Sequence, residues 1–251
     1  MPPKIRADEL VMRLGLAPTR SQAQALIMAG RVLKGPDSPV GKAGELLGAD
    51  LALTLSPGRV FVSRGGEKLS GALDDLGVDP RGLVCLDLGA STGGFTDCLL
   101  KRGAERVTAL DVGKGLLHPS LRDDPRVTVI EEVNARHLDR LDPKRDLKGP
   151  FGLAVLDLSF ISLELVLPLA APLMKEGSLI IPMVKPQFEV GRRDVGKGGV
   201  VRDPALVEKA VEKIKALAPG LSPPFRALKS APSRLKGPKG NREVFVLFEK
   251  A

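Results

Sequence analysis

The chain has 251 residues, 43% of them apolar and 27% charged, which suits a small domain joined to a medium one, each with a packed core. Its 38 Lys and Arg against 30 Asp and Glu leave a formal charge of +8, favouring a polyanionic partner over an acidic protein surface. No apolar run followed by a small-residue cleavage site is visible, and the most apolar region, 154–184, is broken by Asp157, Glu164, Lys175 and Glu176. The pattern therefore excludes a secretory signal and a membrane-spanning helix, and a cytoplasmic location is expected. Cys85 and Cys98 fit neither a disulfide framework nor a zinc site, so they read as buried packing and no metal is expected.

From Asp8 to Leu33 the apolar spacing predicts two short helices, one carrying Leu10, Val11 and Leu14, the other Ala23, Leu26 and Ile27. Thr19 stands where an N-cap is wanted and Gly30 where a left-handed C-terminal cap is wanted. Short strands follow at Arg31–Lys34 and Leu51–Leu55, separated by a Gly- and Pro-containing loop. The result is a small α+β module over residues 1–59, with a modest basic excess. The Ser56-Pro-Gly58 break and a connector over residues 60–66 lead to a new helix expected at Glu67 and a second domain over 67–251.

In that second domain strands are predicted at Val84–Leu88, Val107–Asp111, Val127–Ile130, Leu153–Leu158, Ser178–Val184, Phe225–Ser230 and Glu243–Glu249, with helical stretches between most of them. Near-continuous apolar strands alternating with helices imply an α/β fold in which a mostly parallel sheet is covered on both faces. The densest signal is Asp87-Leu-Gly89-Ala-Ser91-Thr-Gly93-Gly94-Phe95, which runs from an apolar strand into a helix through three glycines. Such a turn lets a ligand approach the backbone and face a helix N-terminus. A dinucleotide loop spaces its glycines G-x-G-x-x-G, whereas this one is G-x-x-x-G-G with a carboxylate at the strand end. That carboxylate suits a cationic ligand such as S-adenosylmethionine better than the pyrophosphate of NAD. Asp111, ending the next strand, is placed to accept hydrogen bonds from ribose hydroxyls, and Asn134 either caps a helix or bonds the adenine.

Asp157 and Lys185 end the fourth and fifth strands, at the edge where open parallel sheets hold ligands, so they are expected to meet over the site. A lysine becomes a usable base only when desolvated and oriented by a carboxylate. Lys68 and Glu243 carry no such signal by themselves and read by default as part of a solvated face.

Taken together, these residues resemble the TlyA family, haemolysin-like proteins in which an S4 RNA-binding domain is fused to an FtsJ-type ribose 2′-O-methyltransferase. The resemblance rests on Arg6-Ala-Asp8-Glu-Leu10, Arg20-Ser21-Gln-Ala23 and Ile27-Met-Ala-Gly30-Arg31-Val32 in the first part. In the second it rests on Val62-Ser-Arg-Gly-Gly-Glu-Lys68-Leu, Asp87-Leu-Gly-Ala-Ser-Thr-Gly-Gly-Phe95, Asp157-Leu-Ser-Phe160, Lys185-Pro-Gln-Phe-Glu189 and Val195-Gly-Lys-Gly-Gly-Val-Val201. It implies a Rossmann-like class I methyltransferase fold with a seven-stranded sheet, S-adenosylmethionine as cofactor, and a catalytic tetrad of Lys68, Asp157, Lys185 and Glu243. It implies a cofactor pocket drawn from Asp87, Gly89, Ser91, Gly93, Gly94, Phe95, Asp111 and Asn134. The implied partner is RNA, in particular cytidine ribose in ribosomal RNA, contacted by Arg6, Arg20, Arg31, Lys34, Arg64, Lys236 and Lys239. The alternatives are a membrane-active haemolysin, a non-catalytic S4-type RNA-binding protein and a nicotinamide oxidoreductase. The first lacks a spanning segment, the second is at odds with a complete tetrad, and the third is disfavoured by the loop spacing and Asp87.

Overall fold

In a computed structural model the chain is described over residues 3–28, 30–35, 38–56 and 60–251. It divides into two compact units, Met1–Arg59 and Val60–Ala251.

The first unit contains β1 (Lys4–Arg6), α1 (Ala7–Arg13), α2 (Arg20–Met28), β2 (Val32–Leu33), β3 (Leu46–Gly48) and β4 (Thr54–Leu55). Both helices and the β2–β4 antiparallel pair fall where the sequence predicts them. Thr19 Oγ1 accepts the Gln22 amide at 3.3 Å, and Gly30 takes φ +66 past the helix end, a conformation that favours glycine. β1 and β3, which pair antiparallel, are not legible in the sequence because three residues are too few to show an alternation. The Pro57-Gly58 break lies outside the described residues. Leu10, Val11, Ala23, Ile27 and Val32 form the core. Asp8 is fully buried beside them and accepts hydrogen bonds from Arg6 at 2.9 and 3.0 Å, Arg20 at 3.1 Å and Gln24 at 2.9 Å. The Arg6 guanidinium above all holds its carboxyl well below the usual carboxylate range.

The second unit opens with α3 (Arg64–Leu76) and continues through β5 (Val84–Leu88), α4 (Gly94–Lys101), β6 (Arg106–Leu110), α5 (Pro119–Arg122), β7 (Val127–Ile130), β8 (Phe151–Leu156) and α6 (Leu167–Ala170). It ends with β9 (Met174–Val184), α7 (Pro186–Glu189), α8 (Pro204–Lys215), β10 (Phe225–Pro232) and β11 (Val244–Lys250). The seven strands are ordered β10-β11-β9-β8-β5-β6-β7, and only β11 runs against the rest. Apolar residues fill both faces. Leu86, Leu88, Ala154 and Leu156 point into one core, and Cys85, Leu153 and Val155 point into the other beneath α3 and α4. The chain builds outward from β5 through β6 to β7 and then returns to place β8 on the other side of β5. The loops after β5 and β8 therefore diverge and leave a crevice at the carboxyl edge.

The connector expected over 60–66 is shorter than the sequence suggests. α3 already begins at Arg64, because Ser63 supplies an N-cap whose hydroxyl accepts the Gly65 amide at 3.3 Å. Gly66 is a helix residue under steric demand: a Cβ there would stand 2.4 Å from the Phe61 ring and 2.9 Å from the Gly94 carbonyl oxygen. The last three predicted strands are displaced or lengthened at their ends, β9 most of all, since it begins at Met174 and passes through Gly177 (φ +66), where its register with β8 shifts.

Asp8→Asn replaces an acceptor of two guanidiniums by a group that also presents donors to them, and is expected to weaken the first unit by about 1–3 kcal/mol. Amide hydrogen exchange on the whole protein checks this: α1 and α2 should exchange faster while β5 keeps its protection.

Candidate active site

Three strand pairings set the site. Leu88 is opposite Leu156, which places Gly89 against Asp157, and a Cβ on Gly89 would lie 2.6 Å from the Asp157 carbonyl oxygen. Leu156 is opposite Pro182, which brings the segments after β8 and β9 together, and Val244 is opposite Val184, which sets Glu243 across from Lys185. Four charged side chains expected from the sequence converge as two ion pairs. Lys185 Nζ stands 2.6 Å from Asp157 Oδ1 and donates a hydrogen bond to Ser159 Oγ at 2.9 Å. Lys68, one turn into α3, donates to Glu243 Oε2 at 2.6 Å. Lys68, Lys185 and Glu243 are buried, so the two residues that read as surface charges in the sequence are instead held inside by each other. Removing one partner of such a pair strands the other without solvent, typically at about 3–5 kcal/mol.

Two cavities meet at the Lys185–Asp157 pair. The larger, about 570 Å³, is lined by Gly89, Ser91, Asp111, Asn134, Asp157 and Ser159 among others. The smaller, about 320 Å³, is lined by Ser159, Lys185, Phe188, Lys239, Asn241 and Glu243 among others. Ser159 and Phe160 border both, so the Lys185–Asp157 pair forms the seam between them. Asp111 is rigidly held: Oδ2 accepts the Ser91 amide at 2.8 Å and Oδ1 the Gly113 amide at 2.7 Å. Asn134 caps a short helical turn by accepting the Arg136 amide at 3.0 Å, and still lines the larger cavity.

Of the eight residues expected at a cofactor, Gly89, Ser91, Asp111 and Asn134 line the larger cavity and Asp87, Gly93, Gly94 and Phe95 do not. Strand alternation sends the Asp87 side chain to the face covered by α3 and α4, where Oδ2 accepts the Thr96 hydroxyl at 2.7 Å. Gly93 (φ +91) shapes the turn against Leu117 and Leu121, Gly94 packs on Ser63 and Gly66, and Phe95 packs on Phe245 with ring centroids 6.0 Å apart. These four residues support the loop from beneath. Burial pushes the Asp87 carboxyl up to about 7, the nearby Asp157 charge adding to the effect and the Thr96 bond opposing it. Both cysteine thiols are pushed by burial up to about 12, as suits packing residues.

The seven basic residues expected at RNA are placed in three ways. Arg6 and Arg20 are oriented by Asp8 with their side chains about half exposed, and Lys34 pairs with Glu45 at 2.7 Å. Arg31 reaches the Ser56 carbonyl at 3.4 Å, Arg64 donates to the Lys236 carbonyl at 3.3 Å, and Lys236 and Lys239 lie on the loop before β11. Sequence reasoning missed Asn241 and Gly237. Asn241 accepts the Val201 amide and donates to the Gly199 carbonyl, both at 2.9 Å, tying the glycine-rich 195–201 loop to the smaller cavity. A Cβ on Gly237 would stand 2.6 Å from Glu243 Oε1. Asn241 stands two residues before Glu243 in the chain, a proximity that could have pointed to it; the glycine gave no signal, because its demand comes from a side chain six residues away in sequence.

Comparison with known proteins places this geometry. The model of FtsJ-like methyltransferases matches residues 61–250, and that of the S4 domain matches residues 5–33. The chain is 45% identical to a 16S/23S rRNA (cytidine-2′-O)-methyltransferase TlyA of Mycobacterium tuberculosis, over 97% of this chain and 89% of that one. It belongs to the TlyA family. The second unit is thus a methyltransferase domain with the expected Rossmann-like sheet. The chain is also 38% identical to Hemolysin A of Brachyspira hyodysenteriae, over 97% of this chain and 99% of that one. A solved protein of Streptococcus thermophilus, described provisionally as a hemolysin, superposes with a TM-score of 0.74 at 38% identity, covering 100% of this chain and 90% of that one.

Gly237→Ala should push Glu243 off Lys68 and lower methyl transfer by about tenfold or more, with cofactor affinity unchanged by calorimetry. A second expectation concerns Asp87. Its carboxyl titrates near 3.9 when unfolded and higher when folded, so the folded state binds the extra proton and stability falls as pH rises from about 4 to about 7. Asp87→Asn has no charge to bury. Its melting temperature should exceed that of the parent by roughly 5 °C above about pH 8, the gap closing as pH is lowered toward about 4. A gap independent of pH in thermal unfolding would contradict the assignment.

Proposed function

We propose that this protein transfers a methyl group from S-adenosylmethionine to the ribose 2′-hydroxyl of a cytidine in ribosomal RNA, and that it does so in the cytoplasm. The observation that carries the reading is the Lys185–Asp157 pair standing at the seam between a cofactor-sized cavity and a second cleft. The larger cavity fits the methyl donor on its own features. Gly89 leaves room where any side chain would collide, Asp111 is fixed by two amides with lone pairs to spare for ribose hydroxyls, and Asp111 and Asp157 give the acidic lining a sulfonium needs. Asn134 spends its oxygen on the cap and keeps its amide nitrogen for the adenine edge. Asp87, Gly93, Gly94 and Phe95 act from beneath by holding the loop.

S-adenosylmethionine supplies an already activated methyl group when bound. What remains for the protein is to align a weak nucleophile and to remove one proton as the new bond forms. Lys185, as the neutral amine, accepts the 2′-hydroxyl proton at Nζ and becomes the ammonium that Asp157 pairs with, and Asp157 and Ser159 fix its direction. Glu243, held by Lys68, lines the smaller cleft and positions the acceptor ribose. RNA is gathered by Arg6, Arg20, Arg31 and Lys34 on the S4 unit, and by Arg64, Lys236 and Lys239 around the cleft. Asp8 preorganises the first two guanidiniums for phosphate. Among the described residues no helix is long and apolar enough to cross a membrane, so the haemolysin names of relatives find no spanning helix here.

The test is the alkali resistance of the product formed on purified ribosomal subunits, since a 2′-O-methyl group blocks cleavage of the adjacent phosphodiester and a base methyl does not. Lys185→Ala is expected to lower turnover by about 10²-fold or more with cofactor affinity retained, Asp157→Ala to lower turnover at least as far and to weaken cofactor binding as well, and Asp111→Ala to weaken cofactor binding first. Full alkaline cleavage of labelled product, or normal turnover by Lys185→Ala, sinks the mechanism.

A further inference from the structure

The two segments that build the seam are joined a second time, away from the cavities. After β8 the chain runs Asp157-Leu-Ser-Phe160-Ile-Ser162-Leu163; after β9 it runs Lys185-Pro-Gln-Phe-Glu189. At the near end Lys185 takes hold of Asp157 and Ser159. At the far end the buried Glu189 carboxylate accepts the Ser162 hydroxyl on Oε2 at 2.6 Å and the Leu163 amide on Oε1 at 2.9 Å. Between these ties Phe160 holds φ +64, a conformation that disfavours a bulky side chain, and the residue is 88% exposed where both cavities open, its ring centroid 5.2 Å from that of Phe188. A strained residue persists only where its surroundings fix it, and Ser162 and Leu163 are the first fixed points beyond it.

We propose that Glu189 is a positioning residue for methyl transfer: its carboxylate clasps the far end of the 158–163 loop to the segment carrying Lys185, and so holds Ser159 and Phe160 at the seam. The proposal rests on the function proposed above. Glu189 is suited to the task because it is the last residue of α7, four positions from Lys185, so one short rigid turn connects the base to the clasp. Both carboxylate oxygens accept from the loop, which a side-chain amide, with one acceptor oxygen, could not do. Burial raises the Glu189 carboxyl, while the Ser162 and Leu163 donors oppose that shift. Lys213 of α8 lies 3.8 Å from its Oε2 and 2.8 Å from Glu164 Oε2, backing the clasp from outside. Nothing in this arrangement contacts the reacting atoms, so its effect passes through the loop.

The test combines hydrogen–deuterium exchange of the intact protein with methylation of purified ribosomal subunits using labelled S-adenosylmethionine, for Glu189→Ala, Glu189→Gln and Ser162→Ala. Each lost hydrogen bond is expected to speed exchange of the 158–163 amides by about tenfold. Turnover should fall in the same order, with Glu189→Ala lowest at about a tenth of the parent or less and Glu189→Gln recovering part of it, at a cofactor affinity within about threefold. Ser162→Ala combined with Glu189→Ala should be no worse than Glu189→Ala alone, because the Ser162–Glu189 contact is already lost in Glu189→Ala. If Glu189→Ala fails to fold, Glu189→Gln and Ser162→Ala carry the same comparison. Unchanged 158–163 exchange in Glu189→Gln and Ser162→Ala, or faster exchange with full turnover, overturns the proposal. If the parent itself leaves the subunits unmethylated, the functional reading fails, and the exchange arm still decides whether the clasp exists.

Discussion

Two lysine–carboxylate pairs with buried lysines, at the carboxyl edge of the sheet, are the constraint on which the rest of the second unit depends. A lysine withdrawn from water is tolerated only with a carboxylate in contact, and each of these lysines has one at 2.6 Å. The partners come from far apart in sequence: α3 with the entry to β11, and the segment after β8 with the segment after β9. Strand register therefore has to be correct across β5, β8, β9 and β11 for either pair to close. A slip of one residue in β8, β9 or β11 would turn Asp157, Lys185 or Glu243 to the opposite face, away from its partner.

The same constraint explains the glycines. Gly89 and Gly237 are both required by what approaches them, the Asp157 carbonyl in one case and the Glu243 carboxylate in the other. Gly66 lets α3 settle against Phe61 and the start of α4, which fixes the helix that delivers Lys68. The close packing around the tetrad is thus obtained by removing side chains at the contact points, so that the charged groups themselves meet without intervening water.

The first unit repeats the logic on a smaller scale. Asp8 is wholly buried yet charged, and it stays so because Arg6, Arg20 and Gln24 close around it. A core of about ten apolar residues is slight for about sixty residues, and this polar hub joins both helices to the chain end that forms β1. The arrangement also leaves two guanidiniums fixed in direction at the surface, a geometry in which little side-chain entropy remains to be lost on meeting a phosphate.

Sequence alone determined the class of fold, the two-unit division, the glycine loop and the order of the motifs. These rest on local rules: apolar periodicity distinguishes helix from strand, and glycine spacing distinguishes one cofactor loop from another. Asp157 and Lys185 were legible as candidates for the site because strand-end position is a local property. Lys68 and Glu243 were legible only through resemblance, since nothing near either one in the chain marks a charge that will be buried. Tertiary structure decided the remainder. It turned Asp87 away from the cavity, because a side chain's face follows strand register and Asp87 falls on the face covered by helices. It gave Gly237 and Glu189 their importance, because a steric clash or a clasp between segments exists only once both segments are in place. It formed β1 and β3, which are too short to be strands except in each other's company.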